Sequence, residues 1–497
     1  MYNINTKSTM NSNSNEQLER FKELYKKKYY NKLIHELDSY LHINKKNSEI
    51  FALMGLSFLR ISNFDEASKY LLKSLDINNH NPEVNNALGV ALVFLNKEYE
   101  AIEYFKKAFD LNSNLRDPIN NLLELYDKTN NKPEFQKLAE FSIKKYSDDA
   151  IIKFYYAQTF IQKQKLDEAS NYLEKIDFKS YDVAWEIKKL YQLAQINDGL
   201  KKFTKAFNFA KIANDKTLNS IKKNKNKKNK FHEKIDQYLS NKTKKKNKNL
   251  NFSKKSDYNL FFLIGFPRSG TTLLDSILRS HPEILITEEK PMVEKMRLKL
   301  NSLNKKISDI DENIQKILST LYFDELKKHL DINEKNNKII IDRHPLNSVE
   351  IELIQTIFPQ AKFIYTVRHP LDSILSAYMH HFRLNPATEN FLNLSDTAII
   401  YNKIQKLLLN YKKTSEFNFY DIKYEDIIID FENSIKKLIK FMNLKWSNEL
   451  INFYKTAKKR DIIRTASYKQ VIQPIYKSSI QSYEKYSKYL GKYFDKL

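Results

Sequence analysis

The residues best placed to do chemistry lie in the stretch LFFLIGFPRSGTTLLDSILRSHPEI, residues 260–284, where a run of apolar residues feeds a short polar turn. Gly265 and Gly270 have the G-x-x-x-x-G spacing of a loop that wraps a phosphate, and an apolar-periodic helix follows. Backbone N–H groups at the start of such a helix face the turn, and the helix dipole favours an anion there by about 0.3 to 1 kcal/mol. Arg268 adds a permanent charge with a planar fork, and Ser269, Thr271 and Thr272 add hydroxyls beside Pro267. Thr271 stands where a triphosphate-binding loop carries the lysine that reaches the outer phosphates. The ligand expected is therefore anionic and nucleotide-like, held without a metal.

A second anion-binding pair sits about a hundred residues later in TVRHPLDSILSAY. This reads as a strand ending at Arg368, a turn marked by Pro370, and a helix carrying Ser376, which puts Arg368 and Ser376 within reach of one phosphate. A surface ion pair between Arg368 and Asp372 is the plainer alternative. Both segments need elements to hold them. Candidate strands at 260–266, 338–341, 362–367 and 417–424 alternate with segments of helical period, which predicts a parallel sheet with helices on both faces. Ligands of such sheets sit beyond the carboxyl ends of the strands.

The first 218 residues follow another rule. Gly55 and Gly89 are 34 residues apart, with the register continuing through Leu123 to Ala157, and Ala67, Ala101, Phe135 and Ala169 repeat the same step. Small residues at matched points let the two helices of a pair pack closely, and NNALGVALVFLNKEYEAIEYFKKAFDLN is the clearest unit; the third repeat is degenerate at both positions. A final unit, FTKAFNFAKIAN, is shifted in phase. The organisation expected is a polar N-terminus over 1–15, helical repeats over 16–218, a solvated Lys/Asn-rich linker over 219–256 and the sheet domain over 257–497.

Composition sets the outer limits. The chain has 497 residues, 41% of them hydrophobic, enough for two or three real cores. A formal charge of +24 invites a nucleic-acid reading. However, Lys, Asn, Ile, Tyr and Phe are abundant while Gly falls to 6, the mark of an A+T-rich coding sequence, and the lysine blocks lack interleaved aromatics for base stacking. The absence of cysteine excludes disulfides, thiolate metal sites and cysteine nucleophiles. The N-terminus has no apolar signal region, and no segment approaches the roughly 18 apolar residues of a membrane span, so a cytoplasmic location is expected.

The segment GFPRSGTTLLDSILRSHPEI resembles the 5′-phosphosulfate loop of sulfotransferases that use 3′-phosphoadenosine-5′-phosphosulfate (PAPS), in particular the tyrosylprotein sulfotransferases and bacterial proteins that fuse tetratricopeptide repeats to such a domain. FPQAKFIYTVRHPLDSILSAYMHHF, YEDII and RTASYKQVIQPIYKSSIQSYEKY match the family's 3′-phosphate site, acidic turn and C-terminal loop in the same order. The resemblance implies a helical tetratricopeptide-repeat superhelix followed by an α/β, P-loop-like sulfotransferase domain with a parallel sheet. It also implies PAPS as sulfuryl donor, no metal, and an acceptor hydroxyl, with a protein tyrosine as one candidate and the repeats as a docking surface for the acceptor or a partner.

On that pattern Pro267, Arg268, Ser269, Gly270, Thr271 and Thr272 cradle the 5′-phosphosulfate, and Arg368 and Ser376 hold the 3′-phosphate. Sulfuryl transfer to a hydroxyl needs a base, and HPEILITEEKP offers His281, Glu283, Glu288 and Glu289. Glu289, eight residues after His281, falls where the family places its base; His281 is expected to cap or pack a helix end. Arg343 stands where the family typically has lysine, a residue expected to neutralise the transferred group. Arg464 and Ser467 are further candidates for contact with the donor. Two other readings remain at this level: a P-loop kinase-like phosphotransferase, and a non-catalytic repeat scaffold with a relic nucleotide site. A saccharide, lipid or small phenol as acceptor would use the same donor site.

Overall fold

The computed structural model describes residues 6–43, 47–222, 230–240, 259–332, 338–413, 417–459, 473–475 and 479–494. Contacts divide the chain into Met1–Gln164 and Lys165–Leu497.

The first unit is a stack of antiparallel helix pairs: α1 (Thr6–Lys26), α2 (Tyr30–Ile43), α3 (Ser48–Arg60), α4 (Phe64–Ile77), α5 (Pro82–Phe94), α6 (Glu98–Leu111), α7 (Arg116–Lys128), α8 (Lys132–Lys145) and α9 (Ala150–Gln162). A left-handed residue ends the first helix of each pair: Lys28, Ser62, Asn96, Asn130 and Gln164, each 34 residues after the last. A Cβ on Gly89 would lie 2.5 Å from Cε1 of Phe105, and one on Gly55 would lie 2.6 Å from Cγ of Leu71. That close approach is why the repeat carries glycine there. The degenerate third pair still forms, with Leu123 and Phe135 both fully buried in place of small residues. Lys28 marks an additional pair, α1–α2, that lies before the register visible in the sequence.

The second unit opens with α10 (Leu166–Glu174), α11 (Val183–Gly199), α12 (Phe203–Lys222) and α13 (Lys230–Ser240). The chain does not divide at the Lys/Asn-rich stretch expected as linker. Phe207 of α12 stacks on Tyr489 at 3.8 Å, Asn214 Nδ2 donates to Tyr378 O at 3.0 Å, and Tyr486 Oη donates to Asp198 at 2.5 Å. Helix α13 lies inside the expected linker, yet its Ile235 is fully buried, Lys234 pairs with Glu350, and Lys403 Nζ reaches Asp236 at 2.6 Å. An apolar stripe inside a lysine-rich sequence is sufficient to dock it.

The sheet has five parallel strands in the order β2-β3-β1-β4-β5: β1 (Asn259–Gly265), β2 (Ile284–Glu288), β3 (Ile339–Arg343), β4 (Lys362–Val367) and β5 (Asn418–Lys423). Strand β2 was not among the candidates. Alternate residues of β1 feed two cores. Leu260, Phe262 and Ile264 pack with α15 (Met292–Ser302), α16 (Glu312–Lys327), α17 (Ile351–Ile357), α18 (Pro370–Tyr378) and α19 (Leu394–Lys412). Phe261 and Leu263 pack with α14 (Thr271–Leu278), α20 (Tyr424–Ile429) and α21 (Phe431–Phe441). The carboxyl ends of β1, β2, β3 and β4 thus carry the segments that the sequence marks for chemistry.

Candidate active site

The turn after β1 contains two left-handed residues, Arg268 (φ 73°) and Gly270 (φ 101°). Only glycine suits position 270, because a Cβ there would sit 2.5 Å from Cδ2 of Tyr424. The hydroxyls of Ser269 and Thr366 are 2.6 Å apart, and Thr366 Oγ1 donates to Ile264 O at 3.3 Å. Ser269 is buried and its hydroxyl fixes the loop to β4, so it does not add the ligand contact expected of it; Thr271 is also buried, Thr272 half-buried and Pro267 buried. Gly270 caps α14 without a side-chain hydrogen bond, which leaves the first N–H groups of the helix to whatever occupies the turn.

Arg268, Ser376 and Arg368 converge on this turn. Arg268 Nε donates to Ser376 Oγ at 2.9 Å, joining the loop to α18. Arg368, just beyond β4, donates from Nη1 to Arg268 O at 3.1 Å and from Nη2 to Ser479 O at 2.7 Å, with its guanidinium 4.8 Å from the centre of the Tyr424 ring. The Arg368–Asp372 pair is the weaker contact at 3.8 Å, because Asp372 Oδ1 accepts from Ser482 Oγ and Tyr483 N, both at 2.8 Å. Arg368 Nε is buried with no hydrogen-bond partner among the described residues. Two guanidinium groups, a helix start without a side-chain cap and an unmatched buried N–H form a donor set that fits a phosphate- and sulfate-bearing ligand. Burial and the neighbouring Arg268 hold His380 well below the usual histidine range, so this ring is neutral near pH 7.

On the other side of β1 the strand register sets Glu288 of β2 beside Arg343 of β3. Glu289 follows in a left-handed turn (φ 49°), its N–H donating to Arg343 O at 2.9 Å. Its side chain is 46% exposed, whereas that of Arg343 is fully buried. Arg343 was expected to face the transferred group; instead it meets three carboxylates, Asp275 at 2.9 Å, Glu289 at 3.0 Å and Glu288 at 3.2 Å. A cation with no exposed surface cannot touch a ligand in this arrangement. His281 packs as expected, its Nδ1 accepting from Glu283 N at 3.2 Å and its Nε2 lying 2.9 Å from Lys445 O.

The remaining two candidates, Arg464 and Ser467, lie outside the described residues. Sequence reasoning missed Thr366, Tyr424, Ser479 and Asp275. Tyr424 opens the YEDII segment, whose Glu425 Oε1 accepts from His369 N at 2.9 Å, so the acidic turn was visible but its aromatic neighbour was not weighed. Asp275 sits one helical turn after Thr271, a spacing that places a carboxylate beneath the loop without announcing which cation it holds.

Residues 261–448 match the model described as the Sulfotransferase family. The chain is 30% identical over 244 residues to an uncharacterized protein of Aquifex aeolicus (strain VF5), covering 46% of this chain and 31% of that one. It is 24% identical over 255 residues to protein-tyrosine sulfotransferase 1 of Danio rerio, covering 48% and 67%. It is 27% identical over 119 residues to an omega-hydroxy-beta-dihydromenaquinone-9 sulfotransferase of Mycobacterium bovis, covering 22% and 30%. The match thus spans less than a third of the Aquifex protein and about two thirds of the fish protein. The second unit carries a sulfotransferase-family domain, and the first carries tetratricopeptide-like repeats.

Proposed function

We propose that this chain transfers a sulfuryl group from PAPS to an acceptor hydroxyl, that of a tyrosine in a polypeptide, with the N-terminal repeats as the docking surface for the acceptor or a partner. The observation that supports this most is the meeting of Arg268, Ser376 and Arg368 at the start of α14, in a loop that lacks the lysine of triphosphate sites. The bound donor supplies an activated sulfuryl group, which passes to the acceptor oxygen as adenosine 3′,5′-bisphosphate (PAP) leaves. Loop N–H groups and Arg268 hold the 5′ end, and Arg368 and Ser376 hold the 3′-phosphate. Glu289, the half-exposed carboxylate at the end of β2, takes the acceptor proton. Catalysis on this account is positioning and electrostatic preorganisation by the chain's own groups.

The tyrosine acceptor rests on the resemblance to a relative named for tyrosine, while another relative is named for a menaquinone. Incubation with radiolabelled PAPS, a tyrosyl peptide and a lipid extract separates these. Label in tyrosine O-sulfate supports the reading, label in the lipid fraction alone refutes the acceptor, and label in neither refutes sulfuryl transfer. Glu289→Gln is expected to keep PAP affinity while turnover falls by about 100-fold or more; unchanged turnover removes Glu289 from the mechanism.

A further inference from the structure

The site holds one charged group that the mechanism above does not use. Arg343 is the largest fully buried side chain of the described residues, and its fork joins three segments. Nε meets Asp275 of α14, the helix whose first turn forms the anion loop. Nη2 meets Glu288 at the end of β2, and Nη1 donates to Glu289 Oε1. Asp275 is itself fixed from the other side, its Oδ1 accepting from Arg279 Nε at 2.8 Å, while Arg279 Nη1 donates to Ile286 O at 2.6 Å. The backbone adds a return contact, Glu289 N to Arg343 O.

We propose that Arg343 is a positioning residue for Glu289, tying the carboxylate that takes the acceptor proton to the helix that holds the donor. The proposal rests on the reading of Glu289 as the base. Three observations carry it: Arg343 has no exposed surface, its guanidinium is 3.0 Å from the one carboxylate of the cluster that is half exposed, and Glu289 sits in a left-handed turn that only local contacts hold. A planar fork spans three carboxylates in different directions, which a compact ammonium at the end of a flexible stem does not. Without the fork the three carboxylates face one another with Arg279 as their nearest fixed cation, and Glu289, having solvent beside it, swings outward. Arginine at 343 then has a physical reason: the position needs its geometry as well as its charge.

The full-length chain with Arg343→Lys, and separately Arg343→Gln, tests this through two readouts. Calorimetric titration with PAP needs no turnover and reports both folding and the donor site; both variants are expected within about twofold of wild type. Turnover with saturating PAPS and a tyrosyl peptide is expected to fall by about 100-fold in both, with KM for PAPS unchanged, because a displaced base lowers kcat alone. Arg343→Lys retaining wild-type kcat overturns the proposal, since charge alone would then suffice. A tenfold or greater loss of PAP affinity in Arg343→Gln also overturns it, because Arg343 would then touch the donor. If the Gln variant does not fold, the Lys variant decides by the same two readouts. A wild-type protein that binds no PAP refutes the donor reading and this proposal with it, whereas an active wild type matched by an equally active Lys variant refutes this proposal alone.

Discussion

Asp342 precedes Arg343 in β3 and is fully buried, with Tyr322 Oη donating to its Oδ2 at 3.0 Å and Thr287 Oγ1 to its Oδ1 at 3.4 Å. Burial pushes its carboxyl up to about 7, against those two hydrogen bonds and the nearby Arg343, which act in the other direction. An unfolded aspartate titrates near ~3.9. Between these values the folded protein holds a proton that the unfolded chain has released. The associated stability is therefore complete below about 4 and is lost as pH rises through about 7. At 1.36 kcal/mol per unit, a rise of about three units corresponds to about 4 kcal/mol at most. Asparagine mimics the neutral acid and keeps an acceptor for Tyr322. Asp342→Asn is thus expected to match wild type at about pH 5 and to exceed it by up to about 4 kcal/mol at about pH 8. The chain has 2 tryptophans, and both Trp185 and Trp446 lie in the second unit, so urea unfolding followed by tryptophan fluorescence reports that unit. An advantage of the same size at both pH values, or a variant less stable at both, refutes the reasoning.

The anion site yields two further predictions. Arg368→Ala removes a guanidinium that binds two carbonyls and has one unmatched N–H, and PAP affinity is expected to fall by about 10- to 100-fold, a charged hydrogen bond being worth roughly 1.5 to 3 kcal/mol; calorimetry showing equal affinity counts against the 3′-phosphate assignment. Gly270→Ala places a Cβ against Tyr424 at a φ of 101° and is expected to cost at least about 1 to 2 kcal/mol of stability and most PAP binding. Gly491→Ala, which meets nothing within 4 Å, is its control in thermal melts.

Much of this architecture is legible in the sequence because period and spacing are physical constraints. Gly55 and Gly89 are small because Leu71 and Phe105 approach them, and four of the five strands announce themselves as apolar runs. Strand β2 was missed because its five residues follow a His-Pro stop and end in Thr287 and Glu288, which read as a loop. Helix α13 was hidden by lysine blocks, although Phe231, Ile235, Tyr238 and Leu239 have the spacing of an apolar stripe that would have revealed it. At the site, the residues were legible but their directions were not. Arg343 at a strand end reads as a ligand contact, and only the β2–β3 register shows that three carboxylates surround it. Ser269 reads as a donor to a phosphate, and only the closeness of β1 and β4 at Gly265 shows that it faces Thr366.

The central claim is that a glycine loop without its lysine, backed by Arg268, Arg368 and Ser376, has been shaped for PAPS. Titration calorimetry of the full-length protein with PAP in the presence of a chelator, set beside ATP with magnesium, tests it most directly. The account predicts that PAP binds without metal and that ATP with magnesium binds far more weakly; tight, magnesium-requiring ATP binding with no heat from PAP contradicts it.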